Sequence, residues 1–357
     1  MMPDIRDWKA IDADWLTGAL AAGGIDAKVR AFEAGKVGTG QIGDCVRFKL
    51  DYEHAAPGAP RTLVGKFPAE GQESRAAGIQ LGNYHREVKF YQLLQPDARI
   101  TTPPCYFTDV NEETHDFVLL MGDLAPAEQG DQLAGVTLDQ ARLVVKEAAK
   151  LHSAFWNDDR LDDYAWVMNT KNAPNPLDPD MIAALWQGFK ARYGDRVSPE
   201  AARIGDAMSR NLDAQTTFRD GSRSLIHSDF RPDNMLFNPA SEDRPVTVVD
   251  WQSFGYGPAG ADVGYFISGA IDPETRRRNE AALIDLYLAE MDRLGASDYA
   301  REEFTRHYIA GAFQHFFTAF FAAMLVTQTA RGDDMFFRML NGAVDLISDH
   351  DALDWYD

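Results

Sequence analysis

The hydrophobic period of this chain changes once, near residue 122, and that change restricts the folds open to it more than any other feature. Upstream, apolar residues alternate. Val46, Phe48, Leu50 and Tyr52 fall on one side of residues 44–52, with Arg47, Lys49 and Asp51 on the other, the pattern of a half-buried strand. The Pro57-Gly58-Ala-Pro60 cluster punctuates it, and residues 62–67 read as the antiparallel return strand. Tyr84, Val88, Tyr91 and Leu94 recur at helical spacing and predict one helix over about 74–94, closed by Pro96; strands follow at 105–110 and 117–121.

Downstream the spacing becomes helical. Thr137-Leu-Asp-Gln140 is a capping-box signature, whose side chains satisfy backbone amides that have no partner inside the helix. Helical patterns recur near 180–193, 199–212, 274–294, 299–328 and 336–348, interrupted by short strand-like runs at 225–226 and 246–249. A chain of 357 residues exceeds one ordinary domain of roughly 100–200 residues. The expected class is therefore α+β with two lobes: residues 1–121, an antiparallel sheet with one main helix, and residues 122–357, larger and mainly helical. A cleft at such a junction is a favoured ligand site.

Composition narrows the function classes. Hydrophobic residues at 45% and charged residues at 25% are those of a folded globular chain. A formal net charge of −20 repels phosphate backbones and anionic lipid, so neither nucleic acid nor membrane is an expected partner. Cys45 and Cys105 provide neither a disulfide framework nor zinc-site spacing. The first residues carry charges where a signal peptide needs a continuous apolar run, so the expected compartment is the cytoplasm. The most apolar stretch, 310–326, contains Gln314 and His315 and is shorter than the ~20 residues of a membrane span, which predicts a buried helix.

The chemistry is concentrated in His227-Ser-Asp229-Phe-Arg231-Pro-Asp-Asn234, followed by Val249-Asp250-Trp251-Gln252. Phosphoryl transfer needs a carboxylate to orient and deprotonate a hydroxyl, metal ions on the phosphates, and cations to spread charge. Asp229 fits the base, Asn234 and Asp250 fit oxygen ligands of Mg2+, and Arg231 is placed to reach a phosphate oxygen. His227 reads as a group that hydrogen-bonds the loop. Gly38-Thr-Gly40-Gln-Ile-Gly43 matches a glycine-rich pattern, and because a strand rather than a helix follows, it suits a hairpin over nucleotide phosphates and not a dinucleotide site.

These motifs resemble the aminoglycoside phosphotransferase and choline kinase superfamily of the protein-kinase-like fold. The closest resemblance is to its ecdysteroid-kinase-like branch, through Asp250-Trp-Gln252, Gly257-Pro-Ala-Gly-Ala-Asp262-Val-Gly-Tyr-Phe266 and Leu151-His152-Ser-Ala-Phe-Trp156. The resemblance covers about residues 30–270. Ser228 stands where the family usually has glycine. The resemblance implies ATP and Mg2+ as cofactors, Lys66 gripping the phosphates, Glu87 holding Lys66 in an ion pair, and a hinge at 121–124, with Met121 and Asp123, beside the adenine. It further implies a small-molecule hydroxyl acceptor and no obligate protein partner. A catalytically silent nucleotide-binding protein of the same fold is the alternative. A protein kinase is a weaker one, since no Ala-Pro-Glu segment follows Asp250.

The acceptor is less legible. The acidic run 157–163 suits a cationic amino alcohol or aminoglycoside, and it also reads as a solvated loop. Phe313, Phe316, Phe317, Phe320 and Phe321 suit a steroid-like alcohol, and their helical spacing also suits core packing.

Overall fold

A computed structural model describes residues 3–38, 42–171, 178–212, 218 and 220–357. The chain forms two compact units: residues 1–127 together with 247–253, and residues 128–246 together with 254–357. Residues 247–253 thus pack with the first unit although they lie far downstream of it in sequence.

The first unit is built on a five-stranded antiparallel sheet of order β1-β2-β3-β5-β4. Its strands are β1 (Ala27–Val37), β2 (Gly43–Ala55), β3 (Thr62–Pro68), β4 (Cys105–Val110) and β5 (Phe117–Gly122). Alternation sorts the faces. Leu63 and Phe67 of β3 join Val46 and Phe48 of β2 and Leu120 of β5 in one core, sealed by Trp15 and Leu16 of α1 (Ala13–Ala22). Thr62, Val64 and Lys66 project from the opposite face of β3.

The single helix expected over 74–94 is broken. It runs as α2 (Gln72–Gln80), α3 (Asn83–Lys89) and a wider π-type turn at Phe90–Leu94. Gly82 adopts φ +68° between the two helices, a left-handed conformation that only glycine takes at little cost and that ends α2.

The second unit is mainly helical. It contains α4 (Leu138–Ala154), α5 (Pro179–Tyr193), α6 (Pro199–Arg210), α7 (Gly260–Ala270), α8 (Pro273–Arg293), α9 (Arg301–Leu325) and α10 (Ala330–Asp349). Thr137 and Gln140 form the expected capping box on α4. Short strands β7 (Ser224–Ile226) and β10 (Gly255–Gly257) pair antiparallel, and β6 (Glu128–Gln129) pairs with β8 (Met235–Phe237). A further strand, β9 (Val246–Val248), whose last two residues belong to the first unit, precedes Asp250.

All of α7 is buried, with α9 and α10 packed on it. A Cβ on Gly264 would lie 1.8 Å from the Tyr308 carbonyl oxygen, and one on Gly311 would lie 2.0 Å from that of Ala261, so both glycines are required where α7 and α9 cross. The 25 residues of α9 are long and apolar enough to span a membrane by length and composition, but 56% of the most apolar window is buried inside the protein. The expected length deficit is therefore corrected, because the helix starts at Arg301. Its reading as a buried helix stands on the burial of Phe304, Tyr308, Phe313, Phe316 and Phe320.

Candidate active site

The first unit gathers one largely buried charge cluster around a cation, with Glu87 buried and Lys66 and Asp250 half-buried. Lys66 Nζ lies 2.6 Å from Glu87 Oε2 of α3 and 2.7 Å from Asp250 Oδ1. Burial disfavours a charged Lys66, yet Asp250 and Glu87 outweigh it and hold the ammonium above its usual range. Burial pushes the Glu87 carboxyl up, with Lys66 opposing. Asp250 takes φ +67°, a strained conformation for a residue with a side chain, and Gln252 Nε2 donates to its Oδ2 at 3.2 Å. The strain is held by what surrounds it. Trp251 is fully buried and stacks on Phe90 at 3.9 Å between ring centroids, and Arg86 Nη1 donates to the Gln252 carbonyl at 2.6 Å.

The described ends of the glycine-rich segment are Gly38, which follows β1, and residues 42–43, which lead into β2; Val37 pairs with Cys45. Gly38 has φ +73°. Gly43 begins β2, where a Cβ would lie 3.2 Å from Lys66 Cε, so a bare backbone gives the lysine its room. Gly40 lies outside the described residues. At the other end of the sheet Met121 pairs with Val64 and Cys105 on its two sides, and the Asp123 carboxylate is committed to Arg47 through bonds of 2.7 and 3.0 Å.

The second unit gathers the opposite arrangement, an anion surrounded by donors. β7 delivers the chain into the 227–234 loop, whose start is fixed by Asp262 in the first turn of α7. The backbone N–H groups of His227 and Ser228 donate to Asp262 Oδ2 and Oδ1 at 2.6 and 2.9 Å. His152, at the end of α4, lies 3.2 Å from Asp262 Oδ2 through Nε2 and 2.8 Å from the Tyr287 hydroxyl through Nδ1. Ser228, the residue that departs from the family's glycine, takes φ +65°, so the loop keeps the left-handed turn and bears the cost of a Cβ there.

Two residues on, the Asp229 N–H donates to His227 Nδ1 at 3.3 Å, in keeping with a loop-bracing His227. The Asp229 carboxylate accepts from the Tyr265 hydroxyl at Oδ1 (2.9 Å), from Arg231 Nε (3.0 Å to Oδ1, 3.2 Å to Oδ2) and from Asn234 Nδ2 at Oδ2 (2.9 Å). Burial alone would raise its pKa, but Arg231, His227, Tyr265 and Asn234 together hold the carboxyl below the usual range. Arg231 also donates to Asp233 Oδ2 at 2.5 Å, so its guanidinium is engaged by two carboxylates of its own loop through Nε and Nη1. Asn234 commits its amide nitrogen to Asp229, including the Asp229 carbonyl at 2.8 Å, which leaves the amide oxygen as the atom for a cation.

A hard-oxygen cation such as magnesium fits the donor types of Asn234 and Asp250. Among the described residues no three His, Cys, Asp or Glu side chains gather as an all-protein metal site, and an ion on nucleotide phosphates needs fewer protein ligands than that. Sequence reasoning assigned no role to Tyr265 or to Asp262. The sequence signals for them are their place in the 257–266 motif that carries the family resemblance and their spacing of three along α7, which brings both side chains to one helix face.

Of the acceptor candidates, Phe313, Phe316 and Phe320 are core residues, whereas Phe317 and Phe321 stay half-buried and stack on each other at 5.3 Å. The acidic run is partly structural: Asp162 is buried against Lys171 and Arg223.

The sequence matches the ecdysteroid kinase-like family over residues 38–297, and the chain belongs to that family. Solved structures share the fold. One, from Ralstonia eutropha JMP134 and assigned as an aminoglycoside phosphotransferase, superposes with a TM-score of 0.56 at 14% identity, covering 97% of this chain and 98% of that one. The ethanolamine kinase of Plasmodium vivax gives 0.53 at 11% identity, covering 87% and 81%. An aminoglycoside phosphotransferase in complex with GDP and kanamycin gives 0.52 at 13%, covering 96% and 100%. A probable acyl-CoA dehydrogenase of Arabidopsis thaliana is 30% identical over 125 residues, 35% of this chain; the chain spans only 14% of that relative's length.

Proposed function

We propose that this chain is an ATP- and magnesium-dependent phosphotransferase that moves the γ-phosphate to a hydroxyl of a small molecule, with Asp229 as the base. The observation that carries the reading is the Asp229 carboxylate itself: half-buried, held anionic by three donors, and fixed in a loop whose backbone hangs on Asp262. A base so held orients the acceptor hydroxyl and takes its proton late, as suits a loose phosphoryl transition state. Lys66, kept charged between two carboxylates, supplies a cation for the nucleotide phosphates, and Glu87 keeps it in place. Asn234 and Asp250 would hold magnesium, which neutralises charge on the phosphates when bound. Arg231 holds Asp229 and Asp233 and lies in the same loop as the proposed base.

The names of the fold relatives, an ethanolamine kinase and a phosphotransferase bound to GDP and kanamycin, support an amino alcohol or aminoglycoside class of acceptor. The half-buried Phe317 and Phe321 pair supports an alcohol with an apolar body. ADP release with magnesium and ATP, screened over amino alcohols, aminoglycosides, steroid alcohols, hydroxyacyl thioesters and sugars, decides among these. Acceptor-dependent ADP release is expected from one class. Nucleotide binding with no acceptor-dependent release from any class would favour the silent binding protein.

A further inference from the structure

We infer that Tyr265 is a positioning residue for Asp229, and that α7 acts as a two-point gauge setting where the carboxylate stands. This rests on the reading of Asp229 as the base. Of the donors on that carboxylate, Arg231 and Asn234 belong to the same short loop and move with it. Among the described residues, Tyr265 is the donor that comes from outside the loop, from a helix buried along its whole length. The same helix holds the loop a second time through Asp262, one turn earlier, at the backbone of His227 and Ser228. The two contacts fix the loop backbone just before Asp229 and the carboxylate at its end, so rotation of the Asp229 side chain is tied to the core of the unit.

The tyrosine is itself immobilised. Its ring lies 4.3 Å from that of His315, whose Nδ1 is 2.8 Å from Ser268 Oγ of α7. The Thr318 side chain, one turn further along α9 from Gln314, adjoins the Tyr265 hydroxyl, and Gln314 Nε2 holds the Ser228 carbonyl at 3.1 Å. Burial pushes the His315 imidazole down to about 3, so the ring behind Tyr265 is neutral and does not compete for the carboxylate. A tyrosine needed only to fill the core would be served equally by phenylalanine; a hydroxyl donating to the base would not.

The experiment compares full-length Y265F, 4-methylphenylalanine at 265 (which fills the hydroxyl's volume without donating) and 4-aminophenylalanine at 265 (which restores a donor). Each is assayed for ADP release from MgATP, with the acceptor or with water alone, and for MgATP affinity. The two variants without a donor should lose roughly 10- to 100-fold in kcat, the loss of a hydrogen bond to a charged group, with KM for MgATP within about twofold. The amino variant should recover most of the rate. If Y265F fails to fold, the methyl and amino pair carries the comparison at constant volume. Wild-type kcat in either donor-free variant, or no recovery with the amino group, overturns the role of Tyr265. D229N run in parallel separates the failures. Full activity of D229N sinks the base assignment, whereas an inactive D229N beside a fully active Y265F sinks only the tyrosine.

Discussion

The two charge clusters are built on opposite plans. In the first unit a half-buried lysine sits between two carboxylates, which hold its ammonium above the usual range against the cost of desolvation. In the second unit a half-buried carboxylate sits among an arginine, a tyrosine and an amide. The first is an arrangement whose partners can be exchanged, since Asp250 is shared between Lys66, Gln252 and the metal proposed for it. The second is closed, because the donors on Asp229 are themselves fixed by Asp233, by the loop backbone and by α7. Binding and release of a nucleotide call for the former, and repeated presentation of one oxygen to an acceptor calls for the latter.

The largest effect expected from breaking this contrast falls in the second unit. D229N should lower turnover by roughly 10²- to 10⁴-fold while leaving MgATP affinity within about twofold, measured by ADP release and nucleotide titration. In the first unit the split should reverse. D250A should weaken magnesium-dependent nucleotide binding at least about tenfold, and unchanged metal dependence would remove Asp250 from the site.

K66A sharpens the comparison further, because it strands Glu87. The first unit should stay folded, at a cost of about 1–3 kcal/mol relieved by protonation of Glu87. The Glu87 carboxyl is already raised by burial and would lose the cation that opposes this. A raised carboxyl binds a proton more tightly folded than unfolded, so K66A should lose stability as pH rises above the unfolded value of about 4.3. Denaturant melts between pH 5 and 8 would show a steeper slope for K66A than for the wild type.

The effect confined to acid pH concerns His315. Burial holds its imidazole at about 3, below the ordinary 6.5. The unfolded chain takes up a proton below that ordinary value and the folded chain does not. The stability contributed by neutral His315 is therefore complete above it and lost as pH falls through the acid range. The slope is at most about 1.4 kcal/mol per pH unit, and H315Q should remove it.

The sequence was readable where a period or a fixed spacing stood out. The β2–β3 hairpin alternates cleanly, and Asp229 with Asn234, like Asp250 with Trp251, lies at spacings that chemistry restricts. β1 escaped because an edge strand exposed along most of its length has no buried face to imprint a pattern. α7 escaped for the opposite reason: a helix buried on every side is apolar all round and shows no period. The break at Gly82 was hidden by helical spacing that continues across it. Arg231 was legible as a cation beside a base, but its partners depend on loop geometry that spacing does not record. Tyr265 and Asp262 became visible as a pair only once α7 was placed under the loop.

The central claim is transfer of phosphate to a small alcohol, and 31P NMR of the full-length chain with MgATP and each acceptor class tests it most directly. The account predicts a phosphomonoester resonance that grows in step with ADP for one class and is absent with D229N. Magnesium-dependent nucleotide binding with no ester from any class, or an ester formed equally by D229N, would contradict it.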